Sequence, residues 1–510
     1  MKQLNRKIYA VCLALSTLAF SSCNKYLDVN ENPNQPGSST LPLSAKLPAA
    51  QVSTAIQETG QLNQVGAFWG GYWGTTNEAI SQFVDLKTYN GPAIRHQRDG
   101  IPVWENGFSN LMYYQLIREE AEQKGELFYE GIAKVMQGWH FLRLVDVYNG
   151  IPFDEALQGT KVLSPRYEDG KTVYEKSINL ISEGIEAIRS APAGSTFDPG
   201  KNDVMFQGDK TLWIKFANTV KLRALIRQSE TGNQQYIINE IAKILDEGTG
   251  FLGEGENAFV NPGYTTSNMN TFWTSYYKDK ASGGVSSANR ENIRPTQFLL
   301  ERYKERNDPR LSQLYVEVGG DYKGVLFGNT VSSPEYAANS TSRFKGPDEN
   351  GNKPAALFKS ATQPLVLMGA FESLLLQAEA AQRGWLPQAN AKSLYEAGIR
   401  ASFAYMDVAS SEFAAYNSQA NVNFDQASNK IELIIVQKWL ALNSISSIEA
   451  WNDFRRTGYP NIPNSLEAPT PSSRPQRFMY PETERMTNNE QASKMGSDDM
   501  LSQKVWWAPN

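Results

Sequence analysis

The fold class is decided by the stretch Ile132-Ala-Lys-Val-Met-Gln-Gly-Trp139, in which large apolar residues recur at the spacing of an α-helix. Its isoleucine, valine, methionine and tryptophan occupy positions i, i+3, i+4 and i+7, which lie on one helical face. The stretch Phe371-Glu-Ser-Leu-Leu-Leu-Gln-Ala378 repeats this spacing. Each stretch therefore predicts an amphipathic helix with one buried face.

Further segments of the chain show the same pattern, and few runs alternate between apolar and polar residues as strands do. The predicted helices are Tyr174 to Ile188, Leu212 to Ile226, Gln235 to Leu245, Asn390 to Tyr405 and Ile431 to Leu442. Small residues in Leu376-Gln-Ala-Glu-Ala-Ala381 would let neighbouring helices approach closely. We therefore expect an all-α dominated fold of helical hairpins, although the sequence shows no fixed repeat period.

The segment from residue 248 to 364 has a different composition. It is rich in glycine, serine and asparagine, with aromatic residues interspersed. Because loops of this length inside a compact protein usually carry a function, we expect a loop-rich insertion that contributes to a binding site.

The N-terminus reads as a secretory signal that ends at a cysteine. Basic residues precede an apolar run from residue 8 to 20, which is too short to span a bilayer. Because Ser21 and Ser22 then precede Cys23 as in a bacterial lipobox, we expect residues 1–22 to be cleaved and Cys23 to carry acyl chains. Residues 23–48 would form an extended lipidated tether, and residues 49–510 a single helical domain.

Composition excludes several classes of function. The net charge of -5 and the lack of a basic stripe argue against a nucleic-acid partner. Neither His96 nor His140 has a partner at zinc-motif spacing, so no metal or cofactor is predicted, and His140 is expected to be a packed or capping residue. Cys12 lies in the leader, so the mature chain has no disulfide.

Several motifs together resemble the SusD/RagB family of outer-membrane nutrient-binding lipoproteins of Bacteroidota, in its SusD-like branch. The motifs are Tyr26 to Asn30 after Cys23, Phe141 to Leu157, Trp213 to Arg227, Gln437 to Ala441, Glu449 to Pro460 and Arg477 to Glu484. The resemblance covers most of the mature chain and implies a tetratricopeptide-like helical scaffold.

The resemblance also implies a function in nutrient capture. Such proteins bind a glycan or, in some branches, a peptide, and deliver it to a SusC-like TonB-dependent transporter. They are anchored in the outer membrane through acyl chains, facing the cell exterior, and are not enzymes. Two alternatives remain open: the same scaffold binding peptides or another polymer, and a lipid-anchored glycosidase, since two carboxylates suffice for that chemistry.

Ligand-binding candidates are aromatic residues that lie among glycine, asparagine and serine. In the insertion these are Trp273, Tyr276 and Tyr277, whose rings could stack on a sugar. Earlier in the chain, Trp73 and Asn77 lie in a glycine-rich segment. The alternative for each aromatic residue is a structural role in the core.

The arginine-containing motifs favour a structural interpretation. Trp451, Asp453, Arg455 and Arg456 predict aromatic packing combined with arginine–carboxylate pairing, and the polar residues between Trp213 and Arg227 predict pairing across helices.

Overall fold

The computed structural model describes residues 41–192, 198–279 and 284–509. The predicted signal peptide, Cys23 and most of the predicted tether lie outside the described residues. The last part of the tether, residues 41–48, is described. The first helix begins at Leu43, so residues 43–48 are helical and not extended.

Helices dominate the described residues, which confirms the predicted fold class. In chain order they are α1 (Leu43–Gln57), α2 (Asn63–Trp69), α3 (Val84–Thr88), α4 (Gly91–Ile94), α5 (Val103–Lys124), α6 (Leu127–Tyr148), α7 (Gly170–Ser190), α8 (Lys210–Arg227), α9 (Gln234–Glu247), α10 (Thr271–Tyr276), α11 (Ala288–Asn292), α12 (Gln297–Lys304), α13 (Arg310–Leu314), α14 (Ala370–Gln382), α15 (Ala391–Tyr405), α16 (Glu412–Asn417), α17 (Lys430–Leu442), α18 (Ser447–Thr457), α19 (Glu482–Thr487) and α20 (Asn489–Ala492). A π-helical turn, Glu58–Leu62, joins α1 to α2.

In the described part of the chain, short strands form three two-stranded antiparallel sheets. They pair β1 (Trp73–Thr75) with β5 (Ile293–Pro295), β2 (Ile151–Pro152) with β3 (Tyr167–Glu168), and β4 (Ala258–Val260) with β6 (Leu365–Met368). The β4–β6 pair joins the two ends of the loop-rich insertion, which contains α10 to α13.

Consecutive helices form the predicted hairpins, and each of the seven segments predicted as helical coincides with a helix, with Asn390 as the N-cap of α15. The most extensive contacts join α6 to α7, α5 to α6 and α14 to α15. Helices α6 and α7 approach each other closely at Gly131 and Gly184, where a Cβ on Gly131 would lie 2.6 Å from the Gly184 carbonyl oxygen. A side chain at this crossing would therefore push the helices apart.

A buried charge network holds the hairpins to the C-terminal helices. Its members are Glu58, Arg143, Asp146, Arg223, Arg227, Glu372, Glu379, Lys438, Glu449, Asp453, Arg455 and Arg456, all of them buried. Arg143 contacts Glu58 at 2.9 Å and Glu449 at 2.6 Å, which links α6 to the π-helical turn and to α18. This confirms the structural interpretation of the arginine motifs.

Arg456 shows how the network compensates burial. Its guanidinium makes two hydrogen bonds to the Glu379 carboxylate, at 2.6 and 2.9 Å. Burial alone would raise the pKa of Glu379, but the attraction of Arg456 outweighs it and lowers this pKa to about 2. The carboxylate therefore stays charged and joins α14 to α18.

Candidate functional site

The aromatic residues expected to face a ligand lie in the core. Trp73, on β1, is fully buried, and its Nε1 donates a hydrogen bond to Ser444 Oγ at 2.8 Å. The ring centroids of Trp73 and Tyr276 are 5.1 Å apart, so the early and late aromatic segments do meet, but beneath the surface. These two rings offer no stacking face to a ligand in this structure, which corrects that expectation.

Trp273 and Tyr277 are also packed. They form an edge-to-face pair with ring centroids 4.5 Å apart, and Tyr277 stacks on Phe358 at 5.2 Å. The Arg290 guanidinium lies over the Tyr277 ring at 4.4 Å, and the Tyr277 hydroxyl accepts a hydrogen bond from the Asp348 backbone N–H at 3.0 Å. The structure thus supports the alternative of a structural role, in which these two rings pack against other parts of the insertion.

Asn77 is half-buried and lies closer to the surface. Its Oδ1 accepts a hydrogen bond from the Ser333 backbone N–H at 3.0 Å. The neighbouring Glu78 carboxylate accepts from the Ala338 backbone N–H at 3.0 Å. Together they hold the segment 333–338 of the insertion against the N-terminal part of the chain, so Asn77 positions that segment.

Segment 333–338 forms one wall of a surface cavity of 320 Å³, which we call the tyrosine cleft. The cleft is lined by Gln297, Leu300, Glu301, Lys304, Asp321, Tyr322, Lys323, Gly324, Glu335 and Tyr336. It therefore combines two phenol rings with three carboxylates and two ammonium groups.

Three local structures bring these side chains together. The α12 residues that line the cleft are spaced at i, i+3, i+4 and i+7, so they share one helical face. Asp321 to Lys323 follow a tight turn in which Gly319 and Gly320 both have positive φ, a conformation that glycine adopts without strain. Glu335 and Tyr336 belong to the 3₁₀ turn Pro334–Tyr336, which Asn77 fixes from outside.

The charges of the cleft are partly paired. Lys304 Nζ lies 2.6 Å from Asp321 Oδ1, and this hydrogen bond lowers the pKa of Asp321. Burial, with the nearby Glu317, raises the pKa of Tyr322 to about 12, so its hydroxyl stays protonated at neutral pH and can donate as well as accept. Glu301 and Glu335 are exposed and present carboxylate oxygens to the cleft, and burial together with a hydrogen bond to Glu335 raises the pKa of Tyr336.

The sequence analysis did not find the tyrosine cleft, although it identified the insertion that builds most of it. Tyr322 and Tyr336 are single aromatic residues in polar loops, whereas the analysis favoured clustered aromatic residues. Clusters of rings have more apolar surface to hide and so tend to be core. An isolated tyrosine beside a Gly-Gly turn was the available signal.

Larger cavities lie elsewhere in the described residues: one of 630 Å³ between α5, α6 and α7, one of 620 Å³ beside α15, and one of 520 Å³ at the end of α18. Within the described ranges, every helix is too short or too polar to span a bilayer. The same part of the chain contains no cluster of acidic, histidine or cysteine side chains suited to hold a metal ion.

Comparison with solved structures shows the same fold in several SusD homologs. One from Bacteroides uniformis has 23% identity and a TM-score of 0.73, with 91% of this chain and 99% of that chain covered. A chitin-binding SusD homolog from Flavobacterium johnsoniae has 22% identity and a TM-score of 0.74 over 91% and 99% of the two chains. A homolog from Bacteroides thetaiotaomicron has 20% identity and a TM-score of 0.71 over 92% and 99%.

None of the curated proteins is similar enough to this chain to count as a relative. The sequence profile of one family, described as "Starch-binding associating with outer membrane", matches residues 43–481, which is most of the chain. This confirms the resemblance drawn from the motifs. The chain belongs to the SusD-like family.

Proposed function

We propose that this protein binds a glycan in the tyrosine cleft as the first step of nutrient uptake at the outer membrane. The observation that carries the proposal is the content of the cleft: the half-buried ring of Tyr322 beside carboxylates, an amide and ammonium groups. Sugar rings present apolar C–H faces, which pack on aromatic rings, and hydroxyls, which need both donors and acceptors. The volume of 320 Å³ falls at the lower end of the range of ligand pockets, about 300–1,000 Å³, and suits a short segment of a longer chain.

The family and its solved members support the same chemistry. The family description names starch, and the Flavobacterium johnsoniae homolog is chitin-binding. Both polymers are chains of pyranose sugars, so maltotriose and chitotriose are suitable first probes.

Tyr322→Ala tests the assignment. Tyr322 is half-buried in a surface turn, so its removal should leave the fold intact while taking away one ring of the cleft. We expect calorimetry with the two trisaccharides to show binding weakened about tenfold, which corresponds to about 1.4 kcal/mol.

The matched control is Tyr113→Ala. Tyr113 is 48% exposed and lines neither the tyrosine cleft nor the 630 Å³ cavity, so this variant should bind as the wild type does. Unchanged affinity in Tyr322→Ala would contradict the assignment of the cleft. Binding of a peptide in place of both sugars would move the ligand to the peptide class.

We further propose that the bound glycan passes to a SusC-like TonB-dependent transporter and that acyl chains on Cys23 hold the protein in the outer membrane. The family description, which places its members in association with the outer membrane, supports this. Two acyl chains suffice for a stable anchor. Fractionation of cells that carry Cys23→Ser tests the anchor, and recovery of the transporter with the wild-type protein from detergent extracts tests the partnership.

We propose a binding and not a catalytic role for the cleft. The exposed carboxylates of Glu301 and Glu335 could in principle serve a glycosidase, so the trisaccharides recovered after prolonged incubation should be analysed by mass spectrometry. We expect intact sugars. Hydrolysis that is lost in Glu301→Gln or Glu335→Gln would assign the chain to the alternative class.

A further inference from the structure

The cavity of 630 Å³ lies in the helical scaffold and is built from different elements than the tyrosine cleft. It is enclosed by α5, α6 and α7 and by the loop 153–161 that follows β2. Polar and apolar side chains contribute to its wall in similar measure, as in a site for a ligand with both kinds of surface.

A chain of side-chain hydrogen bonds runs along one wall of this cavity. Gln115 Nε2 donates to Glu119 Oε1 at 2.8 Å, and Gln137 Nε2 donates to Gln115 Oε1 at 2.8 Å. Gln137 is only 1% exposed, and its Oε1 has no hydrogen-bond partner among the described residues.

The carboxylate fixes the direction of this chain. An ionised Glu119 can only accept, so Gln115 must turn its amide nitrogen toward it and its oxygen toward Gln137. Gln137 must then also turn its amide nitrogen toward Gln115, so its own Oε1 is left without a hydrogen-bond donor. A buried carbonyl oxygen without a donor costs about 1–3 kcal/mol, so this wall favours a ligand that brings a hydroxyl or N–H group.

Another part of the cavity wall is apolar and rimmed by charge. Phe141 and Phe153 pack with ring centroids 4.4 Å apart, and Phe153 is only half-buried. Leu157, in the same loop, has a φ of 63°, a strained conformation for a branched side chain of the kind that clusters at ligand sites. Arg118 and Lys161 add donors at the rim.

We infer that this cavity is a second carbohydrate-binding site, in which an oligosaccharide segment packs on Phe153 and donates a hydroxyl hydrogen bond to the orphaned oxygen of Gln137. The inference rests on the proposed function in taking a glycan as the ligand. Two sites on one chain would let the protein hold a polymer at two points, which raises avidity without any new contact.

Hydrogen exchange with mass spectrometry tests the inference, because it reports each site separately. We expect millimolar maltotriose or chitotriose to slow exchange at least twofold in the loop 153–161, as well as in segment 333–338 of the tyrosine cleft. Gln137→Leu should abolish the protection of 153–161 and leave that of 333–338 unchanged.

A second variant keeps the test decisive if Gln137→Leu does not fold. Phe153→Ala removes a half-buried ring and should have the same selective effect. Protection confined to 333–338 with both sugars would overturn the second site while supporting the proposed function, and protection confined to 153–161 would do the reverse. Protection of 153–161 that persists in both variants would also contradict the inference.

Discussion

The helical scaffold and the tyrosine cleft treat polar groups in opposite ways. In the scaffold, whole charges are buried and paired with each other in the buried charge network, as between Arg456 and Glu379. Around the cleft, Glu301 and Glu335 stay exposed, and backbone groups of segment 333–338 are held by single side chains, as Asn77 holds Ser333. The scaffold is therefore fixed by interactions that are costly to break, whereas the wall of the cleft is positioned by a few that are cheap to change.

The largest expected loss of stability comes from removing one partner of a fully buried pair. Arg456→Met leaves the Glu379 carboxylate without its bidentate partner, and we expect the free energy of unfolding to fall by about 3–5 kcal/mol. Urea denaturation followed by circular dichroism measures this loss.

The control for this prediction uses the same acceptor. Arg383 also contacts Glu379 at 3.0 Å but is partly exposed, so Arg383→Met should cost much less. If the two variants lost equal stability, burial would not be what makes the network costly to break.

A pH titration measures the cost of burying a titratable group in the scaffold, at His140. This side chain is buried in α6 with its Nε2 2.9 Å from Thr54 Oγ1, which confirms that it is packed. Burial, with the nearby Arg143, lowers the pKa of His140 to about 3, against about 6.5 in an unfolded chain. As pH falls from about 6.5 toward 3, the unfolded state therefore gains a proton that the folded state does not.

Stability should accordingly be lost over that range, by about 2 kcal/mol near pH 5. The check is urea denaturation near pH 7 and near pH 5 for the wild type and for His140→Gln, which should lose less stability on acidification. The chain has only one other histidine, His96, which is 47% exposed. His96→Gln should keep the wild-type pH dependence, and a loss of it there would move the effect away from His140.

The smallest expected effect on stability comes from the hydrogen bond between Asn77 and the insertion. Asn77→Ala removes one half-buried hydrogen bond and should lower the free energy of unfolding by only about 1 kcal/mol. It should nevertheless speed hydrogen exchange in segment 333–338 and weaken trisaccharide binding several-fold, because Glu335 and Tyr336 lose their support. A variant with normal exchange and weakened binding would instead indicate direct contact between Asn77 and the ligand.

The sequence predicted the helices of the scaffold but not the residues of the tyrosine cleft, because helices are encoded by neighbouring residues and the cleft is not. A helix such as α7 is encoded by residues three and four positions apart, and the motif Glu449 to Pro460 pairs its own aromatic and charged residues locally. The tyrosine cleft joins α12, a turn and a 3₁₀ segment through contacts between residues that are far apart in sequence. Helix α5 was not among the helices predicted from the sequence. Its polar side chains interrupt the apolar spacing, and its buried face is defined by contacts with α1 and α6.

The pairing of β4 with β6 has a consequence for how such proteins diversify. Since the two strands are neighbours in space, the chain leaves the scaffold and rejoins it at nearly the same point. Loops between them can therefore lengthen or shorten without rerouting the backbone of the scaffold, while β5, which pairs with β1, keeps the middle of this segment in place.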